Sequence, residues 1–265
     1  MLHGIKFEIC TGSLEDMRIA SQYEEVDRLE CNSHLEEDGL SMDHDEFLVG
    51  RKESNKELIC MVRPRGGNFI YTDKEKEEML KEAEFFLQNG ADGIVFGAIT
   101  EEEIIDVPFS KKMIDLIHQY HKIAVFHKAF DCTKDLSQAS QTLIDLHCDR
   151  ILTSGAEPNC ELGLANLILL NEQFSSRIQI LPGGGVTSNN VTNILEATKC
   201  TTFHMSLRSN TQTPNEKVEQ TIAHLKKFYL HSSSQRSFTG EDIAMFENDT
   251  YEQSLDDIED DHNRQ

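Results

Sequence analysis

Apolar and polar residues alternate from the start of the chain. Over 5–10, Ile5, Phe7 and Ile9 fall on one side and Lys6, Glu8 and Cys10 on the other, which predicts a strand. Thr11 to Ser13 can cap a helix running to about 22. A second strand over 26–32 puts Leu29 and Cys31 on one face and Arg28, Glu30 and Asn32 on the other. Further short apolar runs predict strands at 58–62, 92–96, 123–127, 150–153, 178–181 and 201–205. Between them, helical periods predict helices at 43–51, 72–88, 109–120, 135–147, 158–173, 189–198 and 215–230. Eight strand-then-helix units in this order imply α/β architecture, a single-domain (β/α)8 TIM-type barrel over 1–231. The competing open doubly wound sheet calls for a GxGxxG turn after the first strand, and the chain has none there.

The pattern ends near 232. Residues 238–265 contain ten acidic residues and one basic residue, Arg264. So charged a segment buries too little apolar surface to offset its ordering entropy, so 232–265 reads as a disordered acidic tail. The whole chain of 265 residues carries a formal charge of −22, which argues against a nucleic-acid partner. It has no membrane-length apolar run and no secretory leader pattern at its start, so a cytoplasmic protein without a membrane partner is expected. The seven cysteines are scattered without a CxxC pair, which points to reduced thiols rather than a disulfide framework or structural zinc.

Candidate chemistry gathers at the trailing ends of the strands, where barrels of this kind carry their sites. The run 177–187 stops at Pro182 and three glycines, Gly183, Gly184 and Gly185, before a helix start. Bare backbone N–H groups there could take an anion; the alternative is a tight turn without a ligand. Arg63 and Arg65 follow the third strand. Ser154 ends the sixth, and His204, Ser206 and Arg208 end the eighth; all are candidate anion contacts. If the apolar face of the first two strands meets the helices, Lys6, Glu8, Arg28 and Glu30 point inward. They form either a self-neutralising network or, with Glu8 and Glu30, acid/base groups facing a ligand. His127, with Asp131 four residues on, is the candidate proton carrier or ligand orienter. His204 is divided between core hydrogen bonding and anion contact.

Eight blocks in order, FEIC (7–10), DRLE (27–30), MVRPRGGNFIYTD (61–73), GADGIVFGAIT (90–100), FHKAFD (126–131), DRILTSG (149–155), PGGGVT (182–187) and FHMSLR (203–208), resemble the CutC family of copper homeostasis proteins. The resemblance covers 5 to about 230 and leaves out the acidic tail. It implies a cytoplasmic (β/α)8-type barrel, self-associated as a homodimer or higher homo-oligomer, linked to copper and proposed to bind Cu(I) through cysteine. The family's first cysteine matches Cys10; its second falls at Asn32, with Cys31 one place early and on the opposite face. Met61 points the same way as Cys10 if Arg63 does, so Cys10 with Met61 is the candidate metal site, sulfur being suited to Cu(I). Two functions follow. One is copper handling. The other is an isomerase- or lyase-type enzyme on a small phosphorylated or carboxylated substrate.

Overall fold

The structure, a computed structural model, describes residues 4–207 and 212–236. Eight parallel strands alternate with eight helices: β1 (Lys6–Thr11), α1 (Leu14–Ser21), β2 (Val26–Cys31), α2 (His44–Glu53), β3 (Glu57–Met61), α3 (Asp73–Gln88), β4 (Gly93–Phe96), α4 (Val107–Gln119), β5 (Ile123–Phe126), α5 (Leu136–Asp145), β6 (Arg150–Thr153), α6 (Leu164–Phe174), β7 (Gln179–Pro182), α7 (Val191–Thr198), β8 (Thr202–Ser206) and α8 (Pro214–Arg236). The hydrogen-bonded order is β7-β6-β5-β4-β3-β2-β1-β8. A lone parallel bridge between Gly183 and His204 joins the two ends, so the sheet curls into the nearly closed ring of a TIM-type barrel.

Local signals place these elements. Ser13 accepts a hydrogen bond from Asp16 N at the head of α1, and Thr72 and Glu75 form a reciprocal capping box at α3. Asp106 caps α4 just ahead of Pro108. The predicted helix at 158–173 starts only at Leu164, because the preceding residues are spent elsewhere. Asn159 Oδ1 accepts from Glu161 N and Leu162 N, and Cys160 N donates 2.9 Å to Gly184 O. This loop is thereby laid over the glycine triplet.

Parallel register shows which residues share the inner face. Glu8 pairs with Arg28 and His204, Cys10 with Glu30 and Ser206, Glu30 with Ile59, and Met61 with Val95. Val95 in turn pairs with Val125, Val125 with Arg150, and Leu152 with Leu181. Ile59, Met61, Val95, Val125, Leu152 and Leu181 make one packed apolar cluster. The opposite set, on β1, β2 and β8, is polar.

Contacts divide the chain into Met1–His224, which contains the whole ring, and Leu225–Gln265. In the second unit the described part is the end of α8, where the rings of Phe228 and Tyr229 meet edge to face at 5.2 Å. The acidic stretch from 237 onward lies outside the described residues, as does Arg208. No described helix is long and apolar enough to cross a membrane.

Candidate functional site

Glu8, on β1, is buried at the centre of the polar half. Its carboxylate accepts 2.7 Å from Arg28 Nε, lies 3.6 Å from Arg150 Nη1 and meets His204 Nδ1 at 2.8 Å. Burial alone would raise its pKa, but Arg28, the His204 hydrogen bond and Arg150 together hold it well below the usual carboxylate range. Glu8 is therefore a fixed anion. His204 answers it: burial disfavours its charge, yet Glu30 and Glu8 outweigh that and raise its pKa. With Nδ1 committed to Glu8, the other ring nitrogen faces Glu30 Oε2 at 3.8 Å.

Glu30 and Cys10 complete the cluster. Burial, with the Glu8 charge adding to it, raises the Glu30 pKa despite a 2.8 Å hydrogen bond from Asn32 Nδ2. Burial and the Glu30 charge push the Cys10 thiol well up, so its resting form is the protonated one. Asn32 Nδ2 also lies 3.5 Å from Cys10 Sγ. One ligand atom each from Cys10, Glu30 and His204 lie within 4.8 Å of one another. They form the floor of a cavity of about 550 Å³ at the trailing ends of the strands, also lined by Met61, Phe69 and Lys128.

A second cavity, of about 670 Å³, shares Lys128, Leu152, His204 and Ser206 with the first and runs along Gly183–Asn189. Gly184 and Gly185 have φ of +110° and +68°, conformations that other residues adopt only with strain. A side chain at Gly184 would also meet Lys128 Nζ at 3.3 Å and Ser154 Cβ at 3.2 Å. Among the described residues, the N–H groups of Gly184, Gly185, Ser188 and Asn189 donate no hydrogen bond. Lys128, half-buried over them, has no hydrogen bond or ion pair there either.

The remaining candidates separate. Arg63 is buried and lines the mouth, but it is spent on carbonyls of Glu37, Gly39 and Gly67. Arg65 turns away to Glu75 and Ile70 O and covers the Tyr71 ring. Asp131 touches the mouth while binding Thr153 Oγ1, Ser154 N, Ser154 Oγ and Ala156 N, which clamps the β6 loop. The single hydroxyl hydrogen of Ser154 is within reach of two acceptors, Asp131 Oδ2 at 3.0 Å and Glu157 O at 2.6 Å. His127 Nδ1 accepts from Ala129 N, and burial with the Arg63 charge pushes its pKa down to about 3, so the ring is neutral. Ser206 lines both cavities, its carbonyl accepting 2.6 Å from Lys217 Nζ. Met61 lines the mouth with Cys10, whereas Cys31 pairs in register with Cys60 on the other face.

Sequence reasoning passed over two residues that the ring brings in. Arg150 reaches Glu8 from β6 across the interior, and Lys128 reaches the glycines of β7 from the end of β5. Inward alternation on β6 was a usable signal for the first; nothing local signalled the second.

Residues 5–209 match the sequence model of the CutC family. The chain belongs to the CutC family. A family protein CutC from Bacteroides fragilis is 37% identical over 218 residues, covering 82% of this chain and 86% of that one. The human copper homeostasis protein cutC homolog is 36% identical over 207 residues, covering 78% and 75%. Among solved structures, the CutC protein of Streptococcus agalactiae superposes with a TM-score of 0.71 at 26% identity, over 77% of this chain and 99% of its own. In this CutC chain the position assigned to the family's second cysteine is Asn32, and its amide sits directly beside Cys10.

Proposed function

We propose that the mouth of this barrel binds Cu(I) as part of copper homeostasis in the cytoplasm, with Cys10 Sγ and His204 Nε2 as donors. The observation that carries the reading is the packing of Cys10, His204 and Glu30 ligand atoms within 4.8 Å at the buried end of a cavity. Thiolate and imidazole suit Cu(I), and the Met61 thioether lies on the same wall. Glu30 is a hard oxygen and fits better as the acceptor of a displaced proton. Cys10 and His204 both hold their protons firmly, so metal must displace protons and affinity rises with pH. The free, mostly buried cysteines agree with a reducing compartment, and the family's self-association is expected in light scattering of the purified chain. Titration of the reduced protein with Cu(I) against a competing chelator tests the site. Cys10→Ser and His204→Gln should each weaken binding at least about tenfold; an unchanged Cys10→Ser affinity removes Cys10 as a ligand.

A second reading has its own observation. Glu8 fixes the tautomer and orientation of His204, whose free nitrogen faces Glu30 and the cavity, the geometry of an oriented acid–base pair. Lys128 and the bare N–H groups at Gly184 and Gly185 adjoin it and could hold a phosphate or carboxylate. In this isomerase- or lyase-type reading, Glu30 removes a proton and His204 returns one. Thermal shift against sugar and amino-acid phosphates tests it: stabilisation should appear and Lys128→Ala should abolish it. A flat response across the panel rejects it.

A further inference from the structure

We propose that the mouth cavity contains a covered subsite for a carboxylate or phosphate group, built from Arg63 and His127 and capped by the ring of Phe69. The proposal rests on the second reading, an anionic ligand at the mouth, and adds a second point of attachment apart from the glycine triplet.

Two buried polar atoms on the cavity wall lack a hydrogen-bond partner, Arg63 Nε and His127 Nε2; Tyr71 stands beside Arg63, where burial raises the phenol pKa and the guanidinium draws it down against that rise. Arg63 and His127 are each 3% exposed and both line the cavity. A buried donor left unpaired forfeits its hydrogen bonds to water without replacement, so native structures seldom retain one without a use. Both can donate. Arg63 Nε has only a hydrogen to offer, and His127 carries its proton on Nε2 because Nδ1 already accepts from Ala129 N.

Charge narrows the ligand. The Arg63 guanidinium is buried with three carbonyl oxygens as its partners, and among the described residues no carboxylate lies within 4 Å of it. A buried cation without a counter-charge is costly. Of the acids that line the cavity, Glu30, Asp38, Asp131 and Glu157, none forms an ion pair with Arg63 among the described residues, and Asp131 has its oxygens committed to the β6 loop. A neutral imidazole donor and a guanidinium without a counter-charge together favour an oxyanion over a cation or an apolar group.

Phe69 is the cover. Arg63 Cζ lies 4.8 Å from the centre of its ring, and the His127 ring lies 4.9 Å away. The Phe69 backbone is anchored, its carbonyl accepting 3.0 Å from Ile99 N, while its side chain is only partly buried. Rotation of that one side chain uncovers the donors without moving the loop. The MVRPRGGNFIYTD block thus supplies both cation and cover, Arg63 and Phe69.

The test is thermal shift and calorimetric titration of the full chain with malonate and, separately, inorganic phosphate. Phe69→Ala removes the cost of displacing the ring and should tighten binding severalfold, Phe69→Trp should weaken it, and Arg63→Lys should weaken it about tenfold. The anion that responds to these changes identifies carboxylate or phosphate as the group held. Anion binding lost in Lys128→Ala but indifferent to both Phe69 variants leaves the glycine corner standing and overturns the covered subsite. A response to neither anion overturns both. A crystal structure of Phe69→Ala in malonate showing only an ordered water between Arg63 and His127 overturns it as well.

Discussion

On the inner face of the ring, β3 to β7 contribute Ile59, Met61, Val95, Val125, Leu152 and Leu181, while β1, β2 and β8 contribute Glu8, Cys10, Arg28, Glu30 and His204. The first set is held by removal of apolar surface from water, a term that needs no partner geometry. The second set is buried just as deeply but depends on every charge keeping its partner. Ion pairs of this kind add little net stability over well-packed apolar residues, whereas breaking one is expensive. The apolar half can thus be understood as scaffold. The charged half makes sense as a site, because stability alone would have been served as well by more valines.

Two histidines show the same contrast in miniature. His127, at the end of β5, is pushed neutral by burial and by Arg63. His204, on β8, is equally buried, yet the two glutamates beside it favour the charged form. Burial disfavours the charged ring in both places; the neighbours decide the outcome.

The largest effect is expected from Glu8→Gln. It leaves Arg28, Arg150 and His204 facing a neutral amide and should cost about 4 kcal/mol in urea unfolding. The His204 pKa should fall in the same variant, as read by NMR titration. Leu181→Ala opens a void in the apolar half and should cost about 3 kcal/mol. If Glu8→Gln proves milder than Leu181→Ala, the charged half is not an interdependent network and the contrast fails.

Acid titration sharpens the comparison with opposite signs. The folded pKa of His127, about 3, lies below its ordinary value near 6.5, so its contribution is complete above 6.5 and is lost as pH falls from 6.5 towards 3. The slope from this group approaches about 1.4 kcal/mol per pH unit and should vanish in His127→Gln. His204 is raised instead, so its contribution is complete below 6.5 and is lost as pH rises through its folded value. His204→Gln should therefore flatten the alkaline side of the stability profile; the same flattening on the acid side would contradict the assignment. The smallest effect on stability is expected from Asn32→Cys, within about 1 kcal/mol. That variant puts a second thiol beside Cys10 and should raise Cu(I) affinity at least about tenfold by chelator competition.

Much of this was legible in residue order. Period-two alternation over 5–10 and 26–32 already set Glu8, Cys10, Arg28 and Glu30 apart from the helix-facing residues, and the eight short strands imply a ring. The start of α6 was not legible, because the bond from Cys160 N to Gly184 O depends on a loop 24 residues away. Arg63 and Arg65 look alike in sequence. They diverge because the chain leaves the sheet after Met61, and loop hydrogen bonds rather than pleat alternation then aim each guanidinium. Lys128 gains meaning only once β5 and β7 lie on the same rim.

The closing contact of the ring has a consequence for motion. Seven neighbouring strand pairs are laced by ladders, whereas β7 and β8 meet at the single bridge between Gly183 and His204. Breathing of the barrel should begin along that seam, with amides flanking it exchanging soonest among the strands. Any guest that spans His204 and the glycine triplet then works as a clasp, slowing exchange all the way around the circle.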